Sequence, residues 1–319
     1  MKRFLIAALA VLMLLSLAVF TACEDPAPDQ PSDNEQPDNN EDPGNTENPD
    51  NNENPDNNEN PDNNENPDNN EEPEPEEPEV LKLRIGSYNI ANGRFVSHNL
   101  KKIADDILEL DLDIVGFQEV DRFASRSQYL DTMKKLAELT GYEFYYFSKA
   151  IEIGGNPSVY GQEGEYGTGI LSKYPIVTEE TVQLPSAHYE QRVLSHVMIQ
   201  VEDAEVHFFN THLTYNALDI RQEQMEFIEE AVWRHDYCIL TGDFNVESLA
   251  EFETIGSLTG VSNEDNPLLS FHIWKEDPWP TGCIDNIMYS SSLILLDSGV
   301  QNDRKNSDHH LIWAEFEVD

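Results

Sequence analysis

The chain has 319 residues and a formal net charge of −43, from 62 Asp and Glu against 19 Lys and Arg. That balance excludes general nucleic-acid binding by bulk charge, which rests on Lys and Arg contacts to phosphates. The charge is uneven: residues 24–79 hold 22 acids and no base, and Lys2 and Arg3 precede them, which leaves 40 acids and 17 bases, a net of −23, to residues 80–319. This acidic but foldable part is long enough to bury a full core as one large domain.

Residues 1–22 read as an export signal. Lys2 and Arg3 form a positive start, Phe4 to Phe20 is almost wholly apolar, and small residues lead to Cys23. The pattern resembles a bacterial lipoprotein signal peptide, in which Cys23 carries lipid and becomes the mature N-terminus. Phe20 stands where Leu is commoner, and an uncleaved anchor or a plain secretory signal are the other readings. Each of them puts the rest of the chain outside the cytoplasm, and the lipoprotein reading attaches it to the cell envelope.

Residues 23–79 are low in complexity. The hexad ENPDNN occurs at 47–52, 53–58, 59–64 and 65–70, two looser copies fill 35–46, and EEPEPEEPE follows. Almost nothing apolar is present to offset the entropy of ordering. Pro and like charge favour an extended tether, at most about 3 Å per residue. A calcium-binding repeat is the alternative, although no glycine in the hexad sets up a tight ligand loop.

From residue 80, strand-like runs recur at 81–90, 113–120, 144–151, 168–176, 195–202, 205–214, 237–244, 285–291 and 310–318. Helical spacing marks Leu100, Ile103, Ile107 and Leu110, then 128–140, then 217–235. Strands follow strands directly as well as alternating with helices, which predicts a mixed or antiparallel α/β sandwich rather than a doubly wound parallel sheet. No phosphate-cradling glycine loop is present. Cys238 lies in one apolar run and Cys283 just before another, so both are expected as buried free thiols, with a disulfide as the alternative.

Polar residues interrupt the apolar runs at recurring places: Asn89 in SYNI, Glu119 in GFQEV, Asn210 and His212 in FFNTHLT, Asp243 and Asn245 in TGDFN, Asp285 in CIDNIMY, and Asp308 and His309 in NSDHHLIW. One such ending is a turn; six point to a site, because a buried carboxylate is costly unless paired or metal-bound. Carboxylates and carboxamides dominate, so the chemistry suits a hard cation, Mg2+ or Mn2+, rather than Zn2+. Such an ion can polarise a phosphoryl oxygen during attack by water.

The ordered set SYN, QEV, THL, GDFN, IDNI and SDHH resembles the endonuclease/exonuclease/phosphatase superfamily, across essentially all of 81–319. The resemblance implies a four-layer α/β sandwich, two mixed β-sheets packed face to face with helices outside and the site at one edge. It implies Glu119 as principal metal ligand, with Asn89 and Asp308 beside it. Asp243 would orient and deprotonate water. Asn89, Asn245 and Arg192 would contact phosphate, although Arg192 reads equally as a surface ion pair. His309 would stabilise charge on the phosphate, Asp285 would fix His309, and His212 would assist the leaving oxygen. Arg122 and Arg126 read as braces for Asp121 and Glu119, or as readers of a second anionic group. Thr168 departs from the Asn common in related secreted members, so no substrate contact carries over to it.

These readings predict a metal-dependent phosphoesterase acting on small phosphoesters or phospholipid head groups, and a monomer. The acidity disfavours the alternative of an extracellular nuclease. A non-catalytic binding module on the same fold has no need of a complete set of Glu, Asp, Asn and His. The aromatic stretch 271–280 reads equally as a substrate-facing loop or a packed cover.

Overall fold

In β1 (Leu81–Asn89) the side chains alternate: Leu83, Ile85, Ser87 and Asn89 share one buried face and Tyr88 the other. The strand therefore buries both sides and needs layers on each. The computed structural model provides them and describes residues 80–271 and 282–318. The expected export signal, the expected tether and residues 272–280 of the aromatic stretch lie outside the described residues. All of the described residues belong to one unit.

After β1 come α1 (Lys101–Glu109), β2 (Ile114–Arg122), α2 (Thr132–Thr140), β3 (Phe144–Ile153), the short α3 (Pro157–Tyr160), β4 (Gly164–Ser172), β5 (Ile176–Gln183), β6 (Val193–Val201) and β7 (Ala204–His212). Next are α4 (Leu218–Val232), β8 (Cys238–Asp243), β9 (Thr259–Gly260), β10 (Asp285–Tyr289), β11 (Leu293–Gln301) and β12 (Leu311–Val318). One six-stranded sheet runs β11-β12-β1-β2-β4-β3 and the other β5-β6-β7-β8-β10-β9. Both are mixed: β1 with β2 and β7 with β8 are parallel, and the remaining pairs are antiparallel.

Three apolar clusters define four layers. Leu83, Ile85, Val197, Phe208, Ile239, Ile287, Ile312 and Phe316 fill the space between the sheets. Ile103 and Ile107 of α1 and Met133 and Leu136 of α2 pack on the outside of the first sheet. Met225, Ile228 and Val232 of α4 pack on the outside of the second, against Phe209 and Leu240. The expected sandwich is the observed one.

Several expected boundaries move. The run 168–176 is not one strand: it is the end of β4, a turn at Lys173–Pro175, and the first residue of β5. The second helix starts at Thr132 rather than 128, because Asp131 caps it, accepting from the Lys134 amide at 3.2 Å. The third ends at Val232, three residues early. The thiols of Cys238 and Cys283 are free and buried, as expected.

A polar crosslink at the centre of the sandwich ties the two sheets together. Asn210 of β7 donates from Nδ2 to the Phe117 and Gly169 carbonyls at 2.8 and 2.9 Å, and its Oδ1 accepts from Gln118 at 2.7 Å and Thr241 at 3.1 Å. Gly116 makes room for it: a Cβ there would lie 2.1 Å from Thr241 Oγ1 and 2.8 Å from Asn210 Oδ1.

Candidate active site

The inner faces that build the core between the sheets change chemistry at one edge. Leu83-Ile85-Ser87 on β1 leads to Asn89; Val206-Phe208-Asn210 on β7 leads to His212; Ile239-Thr241 on β8 leads to Asp243; and β10 begins with Asp285 before Ile287. Because β7 and β8 are parallel and β10 runs opposite, His212, Asp243 and Asp285 fall side by side in register. Antiparallel pairing of β12 with β1 brings His309 to the same edge.

Glu119 needs a different device. In β2 the register slips so that Gln118 and Glu119 together oppose Thr168, a bulge that re-aims a side chain. Glu119 takes φ +54°, a left-handed backbone costing of order 1–3 kcal/mol. Gln118 turns inward to Asn210, while Glu119 lines a cavity of about 480 Å³. Asn245, at φ +52°, also sits left-handed just after β8, where Asn is among the residues that tolerate it best.

Asn89 links the set, donating from Nδ2 to Asp243 Oδ2 at 2.9 Å and to Glu119 Oε1 at 3.3 Å. His309 Nδ1 lies 2.8 Å from Asp285 Oδ2, which also accepts from Ser270 Oγ at 2.5 Å. His309 Nε2 and His212 Nε2 lie 3.7 and 3.5 Å from Asp243 Oδ2. Asp243, Asp285, His212 and His309 are all buried.

Burial and the neighbouring Asp285 push Asp243 up to about 7, against the pull of His309 and Asn89. Burial alone pushes His309 down, but Asp285 and Asp243 outweigh it and raise the imidazole to about 10. Burial, then Arg192 and His309, hold His212 well below its ordinary value. At neutral pH one histidine is therefore an imidazolium and the other a neutral ring, a few ångströms from a carboxylate poised near neutrality.

The remaining expected residues fall around this centre. The Asn245 amide donates to Asp243 Oδ1 at 3.1 Å, and its side chain donates to the Leu213 carbonyl at 2.9 Å. Asp308 lines the cavity and pairs with Arg94 at 2.9 Å. Arg192 is buried in the cavity wall, 3.3 Å from Glu190, and its Nε has no hydrogen-bond partner. It is thus not a surface pair. Arg126 grips Asp121 through two 2.8 Å bonds, whereas Arg122 pairs with Glu165 and not with Glu119. Thr168 shares a 2.6 Å hydrogen bond with Ser195.

Sequence reasoning missed several supports. Ser270 holds Asp285, and Ser307 donates to the Asn89 carbonyl at 2.7 Å. Arg221, fully buried on α4, binds the Thr214 and Tyr215 carbonyls after His212 and the carboxylates of Glu247 and Glu251 after Asn245, so one guanidinium fixes both lips of the cavity. Tyr166 and Glu190 also line the cavity. A lone Ser or Arg has no periodic signal; only Ser307, inside the SDHH motif, could have been suspected. Phe271, the described start of the aromatic stretch, packs 4.6 Å from the His309 ring.

Two mixed sheets face to face, with acids, amides and histidines converging at one edge, define a DNase I-like α/β sandwich. The chain belongs to the endonuclease/exonuclease/phosphatase family, whose sequence profile matches residues 86–309. Among solved structures it is similar to an endonuclease/exonuclease/phosphatase from Beutenbergia cavernae, at 20% identity and a TM-score of 0.62, covering 74% of this chain and 72% of that one. A mannosyl-6-phosphatase from Bacteroides thetaiotaomicron matches at 22% identity and 0.55, covering 73% and 99%. TDP2 from D. rerio, complexed with a single-strand DNA product, matches at 17% and 0.57, covering 74% and 99%. No curated protein sequence matches the chain.

Proposed function

We propose that the chain is a metal-dependent phosphoesterase that hydrolyses small phosphate esters or phospholipid head groups outside the cytoplasm. The observation that carries it is the buried contact of His309, paired with Asp285, to Asp243, with neutral His212 3.5 Å from the same carboxylate oxygen. A protonated histidine and a carboxylate poised near neutrality, facing one cavity, suit attack of water on phosphorus.

Glu119 fits a hard cation. It lines the cavity, and a single 3.3 Å bond from Asn89 is the hydrogen bond it accepts among the described residues. Glu119, with Asn89 and Asp308, would hold Mg2+ or Mn2+, which when bound polarises a phosphoryl oxygen. Asp243 orients a water and takes its proton. His309, as imidazolium, donates to a phosphate oxygen on which charge grows, and Asp285 keeps its ring aimed. His212 is held neutral, which favours a hydrogen bond from Nε2–H to the leaving oxygen over full proton transfer. Asn245 and Arg192 offer further contacts to phosphate.

The wall of the cavity supports a small substrate. Glu119, Glu190, Glu247 and Asp308 line it, and Arg192 is its one Lys or Arg among the described residues. With Glu119 and Asp308 on the metal, Glu190 and Glu247 would still repel a polyanion, with one arginine to attract it. The similarity to a DNA-bound TDP2 keeps nucleic acid as the competing substrate. Export and a lipid on Cys23 rest on the N-terminal sequence; among the described residues no helix is long and apolar enough to cross a membrane.

The test is turnover with Mg2+ or Mn2+ on sugar phosphates, inositol phosphates, sphingomyelin and plasmid DNA, with Glu119→Ala and His309→Ala alongside. Metal-dependent release from a small ester or lipid, lost in both variants, supports the proposal. Nicking of plasmid with no release from the others replaces the substrate class, and equal rates in wild type and variants overturn the site.

A further inference from the structure

We propose that His196, His207 and His235 form a second metal site, for a divalent transition ion of the zinc class, on the outer face of the second sheet. His196 on β6 and His207 on β7 sit on the strand faces turned away from the other sheet, and His235 lies in the turn after α4. One ring nitrogen from each lies within 4.8 Å of the others, and His196 Nε2 is already 3.0 Å from His207 Nδ1. Two nitrogens on one zinc ion stand about 3.4 Å apart at Zn–N distances near 2.0–2.1 Å; the His235 ring now stacks on His207 with centroids 3.8 Å apart, and turning it out of that stack to aim a nitrogen at the pair completes the set.

The surroundings fit a ligand cluster. The His196 ring lies flat on Phe209, with centroids 4.1 Å apart and planes at 5°, which fixes its direction. Its other nitrogen, Nδ1, faces Glu180 Oε2 at 3.8 Å, the place of the carboxylate that commonly orients a metal-bound imidazole. Burial lowers all three rings below the ordinary histidine value, so they are neutral at pH 7 and can ligate without first losing a proton. Three imidazoles select zinc, copper or nickel over magnesium, and leave one coordination position for water. His207 lies five residues before His212 on β7, about 17 Å at strand rise. The site is thus separate from the phosphoester centre and prefers a different ion. Its ligands would clip β6 and β7 to the link between α4 and β8.

The experiment titrates the full chain with Zn2+ in excess Mg2+, alongside His235→Ala, His207→Gln and Asp243→Asn, and reads stoichiometry, affinity and Tm. His235→Ala lies in a half-exposed turn, and circular dichroism confirms its fold; His207→Gln is the independent second variant. The expected result is one Zn2+ bound by wild type and by Asp243→Asn, at least tenfold weaker in both histidine variants. Zn2+ raises Tm in wild type alone of the wild-type and histidine-variant pair, and the Mg2+-dependent rate of His235→Ala is unchanged. Cu2+ in place of Zn2+ should show three nitrogen couplings in its electron paramagnetic resonance spectrum. Equal Zn2+ binding in wild type and both histidine variants, or uptake lost only in Asp243→Asn, overturns the site and leaves a stack of three rings.

Discussion

Asp243 and Asp285 stand directly opposite each other on neighbouring antiparallel strands, and His309 reaches both of them. Burial first, and then repulsion from Asp285 in register, raise Asp243, and the His309 imidazolium offsets part of that rise. Asp285 matters here through His309: its Oδ2 takes the Nδ1 hydrogen and so aims Nε2 toward Asp243 and the cavity. Asp285→Asn keeps the shape and removes the charge. Its turnover is expected to fall about 100-fold or more, the size of losing one electrostatic contact in the transition state, with KM changed little. Steady-state kinetics on the best substrate check this, and a rise in KM with unchanged kcat would contradict it.

Glu119 accepts one weak hydrogen bond, so its removal should hardly disturb folding. Glu119→Gln is expected to leave the unfolding free energy, read by urea denaturation, within about 0.5 kcal/mol of wild type, as for a change away from any stabilising network. Its activity should require far more Mg2+ and fall by about 100-fold or more at low metal. Rates measured across a Mg2+ series decide between lost metal affinity and lost chemistry. An unchanged metal dependence would remove Glu119 from the ligand set.

Much of this fold could be read from alternation and ordered motifs, and the reasons for the gaps are physical. Strands such as β1, β7 and β8 bury both faces or end in polar residues on one face, so their pattern survives in the sequence. The edge strand β5 exposes most of its side chains, and β11 is mostly half-buried, its LILL run giving way to Asp, Ser and Gly, so neither gives an apolar period. Site residues on strand ends were visible because they interrupt apolar runs. Arg221 and Ser270 were not, since their partners are 30 and 15 residues away in sequence and are brought close only by the fold. The bulge at Glu119 was also hidden, because it is defined by pairing with β4 and not by composition.

Asn210 offers a test of what joins the sheets. It makes two bonds as donor and two as acceptor, all buried, so Asn210→Ala strands the Phe117 and Gly169 carbonyls and one N–H of Gln118, while the Thr241 hydroxyl keeps the Phe209 carbonyl at 3.2 Å. Each stranded group costs about 1–3 kcal/mol, less what water entering the gap returns. A loss of about 3–5 kcal/mol is expected by urea denaturation. Gly116→Ala, which drives a methyl into the same contact, should be similarly damaging. A loss under about 1 kcal/mol in both would mean that the Asn210 crosslink contributes little to holding the sheets together.

Histidine protonation gives a pH dependence whose sign can be worked out. In the unfolded chain each ring titrates near 6.5. Burial and the neighbouring rings hold His196 down at about 4 in the folded, metal-free chain. Between those values the unfolded state binds more protons, so stability rises with pH and is lost as pH falls below 6.5. At about 1.4 kcal/mol per pH unit, His196 contributes up to about 3 kcal/mol of that loss. His309 behaves oppositely: raised to about 10, it adds stability that is full below 6.5 and lost as pH climbs through 10. Asp243, raised to about 7, makes stability fall as pH rises from about 4 to 7 and so masks part of the histidine effect. The comparison that isolates His196 is therefore wild type against His196→Gln. Urea midpoints at pH 8, 6.5 and 5 with chelator present should converge as pH falls, the variant losing less than wild type. Parallel slopes would show that His196 accepts its proton in the folded chain as readily as in the unfolded one, and that the ring cluster imposes no cost on its charge.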